Sequence, residues 1–314
     1  MKLILDSGDQ VSLGSRLRQL VAASTRIDGK FGDSALQQEL TFGTSVDSVL
    51  PIAYFMCVSE QHVLLAAGAD DGGLLAMETE FMAHGNADDR VCFEYCRRGK
   101  TGDLDRRWPN GVLDQGREPG LALEWFATRP EAIESRLTKG MVLALRLYTT
   151  AAYQSLNNPL RGTGLDGRPH ELSSSCPHPL PVAVHLLTEA LKRLRAVEAK
   201  RPTANQSAVL WRGMRDRTVP SEFLSQGGTE KAPMSTTHNL EVAVNYSTSE
   251  CSVLLKLVTS NCGERGANLG WVSAFPAEDE CLFPPLTRLQ PKGTQEVEVP
   301  GGSYTIVEVV PSFG

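Results

Sequence analysis

Apolar residues recur at helical spacing through the middle of the chain and in short strand-like runs over its last third. Val184, Leu187, Leu191 and Leu194 form one stripe while Lys192, Arg193 and Arg195 fall mostly outside it. That pattern predicts an amphipathic helix from about Pro181 to Lys200, ended by Pro202. A short helix is expected over Pro130–Leu137, and a longer one over Lys139–Leu156, ahead of Pro159. The stretch from Gly162 to Pro181 is dense in Gly, Ser, Pro and His and reads as a connector. After residue 205, strands are expected at Ala208–Gly213, Cys251–Thr259, Asn268–Ala274, Cys281–Phe283 and Tyr304–Val310, with a short helix at Leu240–Ser247 between them. Helices first and strands later point to an α+β arrangement and away from repeating βαβ units.

The first ninety residues are less legible. Gln10–Ala22 and Val58–Ala67 carry apolar residues at mixed spacing, and Gly68–Gly73 reads as a turn. Lys100–Gly120, rich in Gly, Asp, Arg and Pro, is expected to be a long surface loop of the kind that often carries function. The expected division is an N-terminal region over 1–90 and a second domain over 91–314, helical to about 204 and strand-rich from 205.

Composition narrows the setting. With 314 residues, 41% apolar and 22% charged, the chain can bury a sizeable core. A net charge of -6 argues against a nucleic-acid backbone as main partner, and none is expected. Seven cysteines cannot all pair within one chain, so reduced, structural thiols are expected. Cys92 and Cys96 lack a nearby Cys or His partner pair, and no metal site is expected. The apolar start Met1–Leu5 is too short for a signal peptide, and no run approaches the length of a membrane span. Both point to the cytoplasm, with export by another route left open.

Three features carry candidate chemistry. Arg212 closes the run Ala208–Trp211 ahead of Gly213; an arginine there suits a phosphate or carboxylate, or an ordinary salt bridge. Ser235, Thr236 and Thr237 are three consecutive hydroxyls before a predicted helix, where capping is the plain alternative. Glu278 and Glu280 flank Asp279. On a helix they would diverge by about 200°, whereas on an extended segment they share one face about 7 Å apart. The aromatic approach and the run Cys281–Phe283 favour the extended form, a loop entering a strand with Asp279 turned away, although a solvated acidic turn is the bland reading.

The ordered set Leu210-Trp211-Arg212-Gly213, Met234-Ser235-Thr236-Thr237 and Phe275-Pro276-Ala277-Glu278-Asp279-Glu280 resembles the Arg, Ser-Thr-Ser and Glu-x-Glu motifs of arginine-specific mono-ADP-ribosyltransferases. Ala243 and Tyr246 in the following helix fit, as do Leu145–Tyr153, Asn157 and Leu160-Arg161 upstream. Thr237 replaces the third serine. The resemblance covers roughly residues 140–312 and leaves 1–90 outside. It implies a core of two packed, mostly antiparallel sheets preceded by a helical region, with NAD as substrate and no metal.

The resemblance also assigns roles. Glu280 would stabilise the oxocarbenium-like ribose left when nicotinamide departs, as in glycoside hydrolysis, and Ser235 would orient it. Arg212, with Gly213, would bind the pyrophosphate or ribose, and Thr236 and Thr237 would support the nicotinamide side. Glu278 would hold an acceptor guanidinium and favour loss of its proton. Trp271 and Phe275 would stack on the acceptor or pack in the loop. The leading function is therefore transfer of ADP-ribose from NAD to an arginine of an acceptor protein. The alternatives are an enzyme that mostly hydrolyses NAD and an inactive fold serving as an interaction module. A further reading gives residues 1–120 the task of recognising a partner.

Overall fold

The computed structural model describes residues 7–23, 40–42, 72–99, 113–118, 120–172 and 175–313. Val58–Ala67 and most of Lys100–Gly120 lie outside them. In chain order the elements begin with helix α1 (Ser7–Ala23) and strand β1 (Leu40–Phe42). Helices follow: α2 (Leu74–His84), α3 (Ala87–Arg98), α4 (Leu123–Ala127), α5 (Pro130–Glu134), α6 (Lys139–Tyr148), α7 (Tyr153–Asn157) and α8 (Pro181–Glu198). Then come β2 (Ala208–Arg215), α9 (Ser221–Gln226), β3 (Gly228–Glu230), β4 (Met234–Thr237), α10 (Leu240–Ser247) and β5 (Cys251–Thr259). The chain closes with β6 (Ala267–Asn268), β7 (Glu280–Phe283), β8 (Thr287–Val299) and β9 (Gly302–Ser312).

These elements divide into two compact units. The helical unit holds the described residues from 72 to 201 together with 267–277. Its centre is α6, whose residues from Gly140 to Tyr148 are all buried. The α8 stripe Val184, Leu187, Leu191 and Leu194 is buried as its spacing predicts. The helix begins on Pro181, and its first-turn amides, which have no partner within the helix, are met by another helix: Glu80 of α2 accepts hydrogen bonds from Val182 N at 2.9 Å and Ala183 N at 3.2 Å. Burial pushes the Glu80 carboxyl up to about 7 against those donors.

The expected helix over Lys139–Leu156 is broken in two. Thr149 and Thr150 turn their hydroxyls back onto the carbonyls of Arg146 and Leu147, both at 2.7 Å, and the chain leaves the helix there. The expected strand Asn268–Ala274 shrinks to Ala267–Asn268. Asn268 Oδ1 accepts from Gly270 N at 2.8 Å, and the amides of Val272 and Ser273 both donate to Leu269 O, so turns replace the strand.

In the Gly162–Pro181 connector, His178 is buried with its tautomer set by two backbone groups. Leu180 N donates to Nδ1 at 2.9 Å, so the ring proton sits on Nε2, 3.0 Å from Leu156 O. Burial pushes its pKa from 6.5 down to about 4. The unfolded chain therefore binds the proton first as pH falls. This site's contribution is complete above pH 6.5 and is lost as pH drops towards 4, by about 3 kcal/mol at most. The stability gap between the wild type and His178→Gln, measured by urea denaturation, should narrow between pH 7 and pH 4.5. A gap that stays constant would refute the assignment.

The strand-rich unit holds α1, β1 and the described residues of 202–266 and 278–314. Its strands follow one hydrogen-bonded order, β1-β3-β8-β9-β5-β2-β4-β7. All neighbours are antiparallel except β5 and β9. The expected two sheets are thus one mixed sheet, because β8 pairs β3 through Thr287–Leu289 on one side and β9 along its length on the other. The sequence hid β8 because Pro291 and Gly293 interrupt its alternation; the ladder absorbs them in a bulge.

Period-two alternation divides the apolar residues between two cores. Leu210, Met214, Val253, Leu255, Leu257, Val307 and Val309 build one, with Phe283 and Phe223. Trp211, Leu254, Tyr304 and Ile306 build the other, under Ala243 and Val244 of α10 and Leu17 of α1. The first ninety residues thus contribute α1 to this core. Among the described residues no helix is long and apolar enough to cross a membrane.

Candidate active site

Arg212, Ser235–Thr237 and Glu280 stand on β2, β4 and β7, three neighbouring strands. Thr237 is the hinge of the arrangement: it lies opposite Trp211 on one side and Glu280 on the other. Opposed residues share a face, so Glu280, Thr237 and Trp211 line up across the sheet, with Ser235 on the same face of β4. The pairing of β2 with β4 is confined to Trp211 and Thr237. Arg212 Nη1, from the next residue of β2, reaches the carbonyl of Ser235 at 3.0 Å. Arg212 and Glu280 are each 5% exposed.

The hydroxyl run is a strand, so it is not the cap of α10; Asn239 is, accepting from Glu241 N at 2.9 Å. Two of the three hydroxyls tie β4 to the acidic segment. Thr236 Oγ1 donates to Cys281 O at 2.7 Å, and Thr237 Oγ1 to Glu278 O at 2.6 Å. Thr237 Oγ1 also accepts from Asn239 N at 3.0 Å. With their protons committed to backbone carbonyls, these threonines position the acids.

The two glutamates do not sit on one extended face. Pro276–Glu278 is a turn of 3-10 helix, Asp279 takes a left-handed φ of 46°, and only Glu280 enters the strand. Aspartate tolerates that conformation better than most residues, and the reversal sends Glu278 and Glu280 into different surroundings. Asp279 Oδ2 lies 3.3 Å from His238 Nδ1. Glu278 is half-buried, and its Oε1 accepts a short hydrogen bond from Tyr246 OH of α10.

Gly213 has a packing role of its own. A Cβ there would stand 1.9 Å from Ala243 O and 2.9 Å from Ser247 Cβ. The missing side chain lets α10 lie on β2 and bring Tyr246 to Glu278. Burial pushes the Cys281 thiol up to about 12, so it is no nucleophile at neutral pH. In the helical unit, Phe275 is buried and Trp271 half-buried. The indole Nε1 of Trp271 has no hydrogen-bond partner among the described residues. Tyr246 fits the family resemblance in the sequence but receives no role there; its contact with Glu278 is seen only in the structure.

Residues 123–300 match the family described as NAD:arginine ADP-ribosyltransferase. Among solved structures, the ADP-ribosyltransferase HopU1 of Pseudomonas syringae pv. tomato DC3000 is 19% identical, with 72% of this chain and 99% of that one covered and a TM-score of 0.43. Exoenzyme S from Pseudomonas aeruginosa, solved with human 14-3-3 protein beta and carba-NAD, is 18% identical over 70% of this chain and 88% of its own, at a TM-score of 0.40. The type III effector XopAI from Xanthomonas axonopodis pv. citri is 13% identical over 81% and 96%, also at 0.40. No curated protein matches the sequence.

Proposed function

Because the chain belongs to the NAD:arginine ADP-ribosyltransferase family and uses NAD for ADP-ribose transfer, we propose that its acceptor is the guanidinium of a protein arginine. The observation that carries this reading is the unequal setting of the two acids: Glu280 is buried in the sheet beside the hydroxyl strand, and Glu278 is half-buried at the turn and held by Tyr246.

Nicotinamide in NAD is a cationic leaving group, so it departs with the electron pair of the glycosidic bond without help from an acid. The difficulty is the positive charge left at the ribose carbon. Glu280 supplies a fixed negative charge where solvent is excluded and its field is strongest. Arg212 anchors the dinucleotide by its phosphates or ribose, and Ser235, on the face of Glu280, orients that carboxylate. A guanidinium is a poor nucleophile until it loses a proton. Glu278 holds it by two hydrogen bonds and takes that proton as the new carbon–nitrogen bond forms. The Tyr246 hydroxyl, donating to Oε1, fixes the carboxylate for this task.

Glu278→Gln is the direct test, with agmatine or an arginine-rich protein as acceptor and nicotinamide release without acceptor as the second readout. Transfer should fall about 10²-fold or more, while NAD hydrolysis stays within about threefold of the wild type. Equal loss of both activities would sink the acceptor role. Mapping labelled ADP-ribose to a side chain other than arginine would sink the proposed substrate.

A further inference from the structure

Within the helical unit, the segment 269–275 is held by side chains far from it in sequence. Arg146 of α6, fully buried, donates from Nη1 to Val272 O at 3.1 Å. Arg117 Nη1 donates to Ser273 O at 2.6 Å, and its Nη2 makes a short hydrogen bond to Gly270 O. Asp114 N donates to Ala274 O at 2.8 Å, and Thr149 Oγ1 accepts from Ala274 N at 2.9 Å. The backbone of Gly270, Val272, Ser273 and Ala274 is thereby gripped without forming a helix or strand.

The grip is itself tightly built. Arg146 meets Asp114 through two hydrogen bonds, Nη1 to Oδ1 at 3.1 Å and Nη2 to Oδ2 at 2.6 Å. Arg117 Nη1 reaches Asp114 Oδ1 at 2.8 Å, and Tyr95 OH makes a short hydrogen bond to Oδ2. The Arg146 guanidinium lies 4.0 Å from the centre of the Phe126 ring and 5.0 Å from that of Tyr95. Arg146 holds the Asp114 carboxyl below its usual range although burial works the other way.

Charge explains why the segment belongs to the cluster. Two guanidiniums face one carboxylate, so the cluster carries one positive charge in excess. A buried cation without compensation is strongly disfavoured. The carbonyls of Gly270, Val272 and Ser273 point their negative ends at the guanidiniums and supply what Asp114 cannot. A different backbone path through 270–274 would strip those oxygens away. The segment carries Trp271 and Phe275 and runs through Pro276 and Ala277 directly into Glu278.

We infer that Asp114, Arg117 and Arg146 are positioning residues that fix the path of 269–275 and so set acceptor affinity separately from the handling of NAD. This rests on the proposed acceptor and on the reading that Trp271, half-buried on this segment, stacks on it.

Arg117→Gln is the preferred variant, because Arg117 sits at the margin of the cluster with 11% of its side chain exposed, whereas Arg146 is at its centre. Its KM for agmatine should rise about fivefold or more while its KM for NAD changes less than about twofold. Amide exchange in peptides covering 267–277 should quicken by about tenfold. Arg117→Lys, which keeps the charge and one donor, should recover part of both. Tyr95→Phe removes one donor to Asp114 and keeps the ring over Arg146, so a smaller shift in the same direction is expected.

A parallel rise in both KM values, or unchanged exchange across 267–277, would overturn the inference. A wild-type protein that releases nicotinamide but modifies no guanidine tells against the proposed acceptor. The exchange measurement still decides whether the clamp exists.

Discussion

Glu280→Gln should lower nicotinamide release by about 10³-fold, with and without acceptor, and leave the fold intact. The carboxylate stands at the first position of β7, opposite Thr237, with 5% of its surface exposed. Glutamine keeps the size and one carbonyl oxygen, so packing against β4 survives and the melting temperature should move little. What disappears is the full negative charge proposed to stabilise the ribose carbon as it becomes electron-poor. In a buried setting that charge is screened far less than in water, so its loss falls on the transition state. Arg212 contacts no reacting atom in the proposed mechanism, and NAD affinity should therefore change much less than kcat. Single-turnover release of nicotinamide and a thermal melt make the check. Residual turnover above about a tenth of the wild type would remove Glu280 from the role.

Gly213→Ala carries the second largest effect, although it is proposed to touch no reacting group. The added methyl would meet Ala243 O at 1.9 Å, and a backbone oxygen cannot swing aside as a side-chain tip can. Helix α10 must lift from β2, which loosens the packing of Ala243 and Val244 over Trp211 and Leu254. Overpacking of this kind costs about 1–3 kcal/mol, and a contact with rigid backbone belongs at the upper end. The same movement carries Tyr246 away from Glu278. Transfer should fall by more than the loss of folded protein accounts for, by about tenfold or more at a temperature where the variant is folded. Tyr246→Phe separates the two effects: it should lower transfer with little change in melting temperature. A stable, fully active Gly213→Ala protein would show that α10 does not need its close seat.

Tyr246 and Gly213 also show where legibility in the sequence stopped. Leu240–Ser247 was legible as a helix because its apolar positions recur at helical spacing, and the structure has it with those ends. The strand Ala208–Gly213 was legible too, and Gly213 beside Arg212 read as part of an anion site. That Gly213 makes room for Ala243, thirty positions on, depends on a helix folding back over a strand, which no local pattern records. The Glu-x-Glu pair shows the same limit. The extended path read for it was wrong, since Asp279 turns the chain through a left-handed conformation between the two acids.

Strand β8 was missed because Pro291 and Gly293 contradict a strand when read alone, and the bulge that accommodates them exists only against β9. The break after Tyr148 was missed because threonine hydroxyls competing for carbonyls look, in sequence, like any other polar pair.

What the sequence by itself determined are the amphipathic faces, the order of helices before strands, and the ordered Arg, Ser-Thr-Thr and Glu-x-Glu residues that resemble one enzyme family. All of these depend on spacing within a few residues or on residue type. Only the tertiary structure decided that Thr236 and Thr237 spend their hydroxyls on holding the acids and that Tyr246 fixes Glu278. It alone also decided that Asp114, Arg117 and Arg146 grip a segment more than a hundred positions later. Hydrogen bonds and buried charges are satisfied by whatever folding brings within about 3 Å, and that proximity is a property of the packed chain, not of any stretch of it.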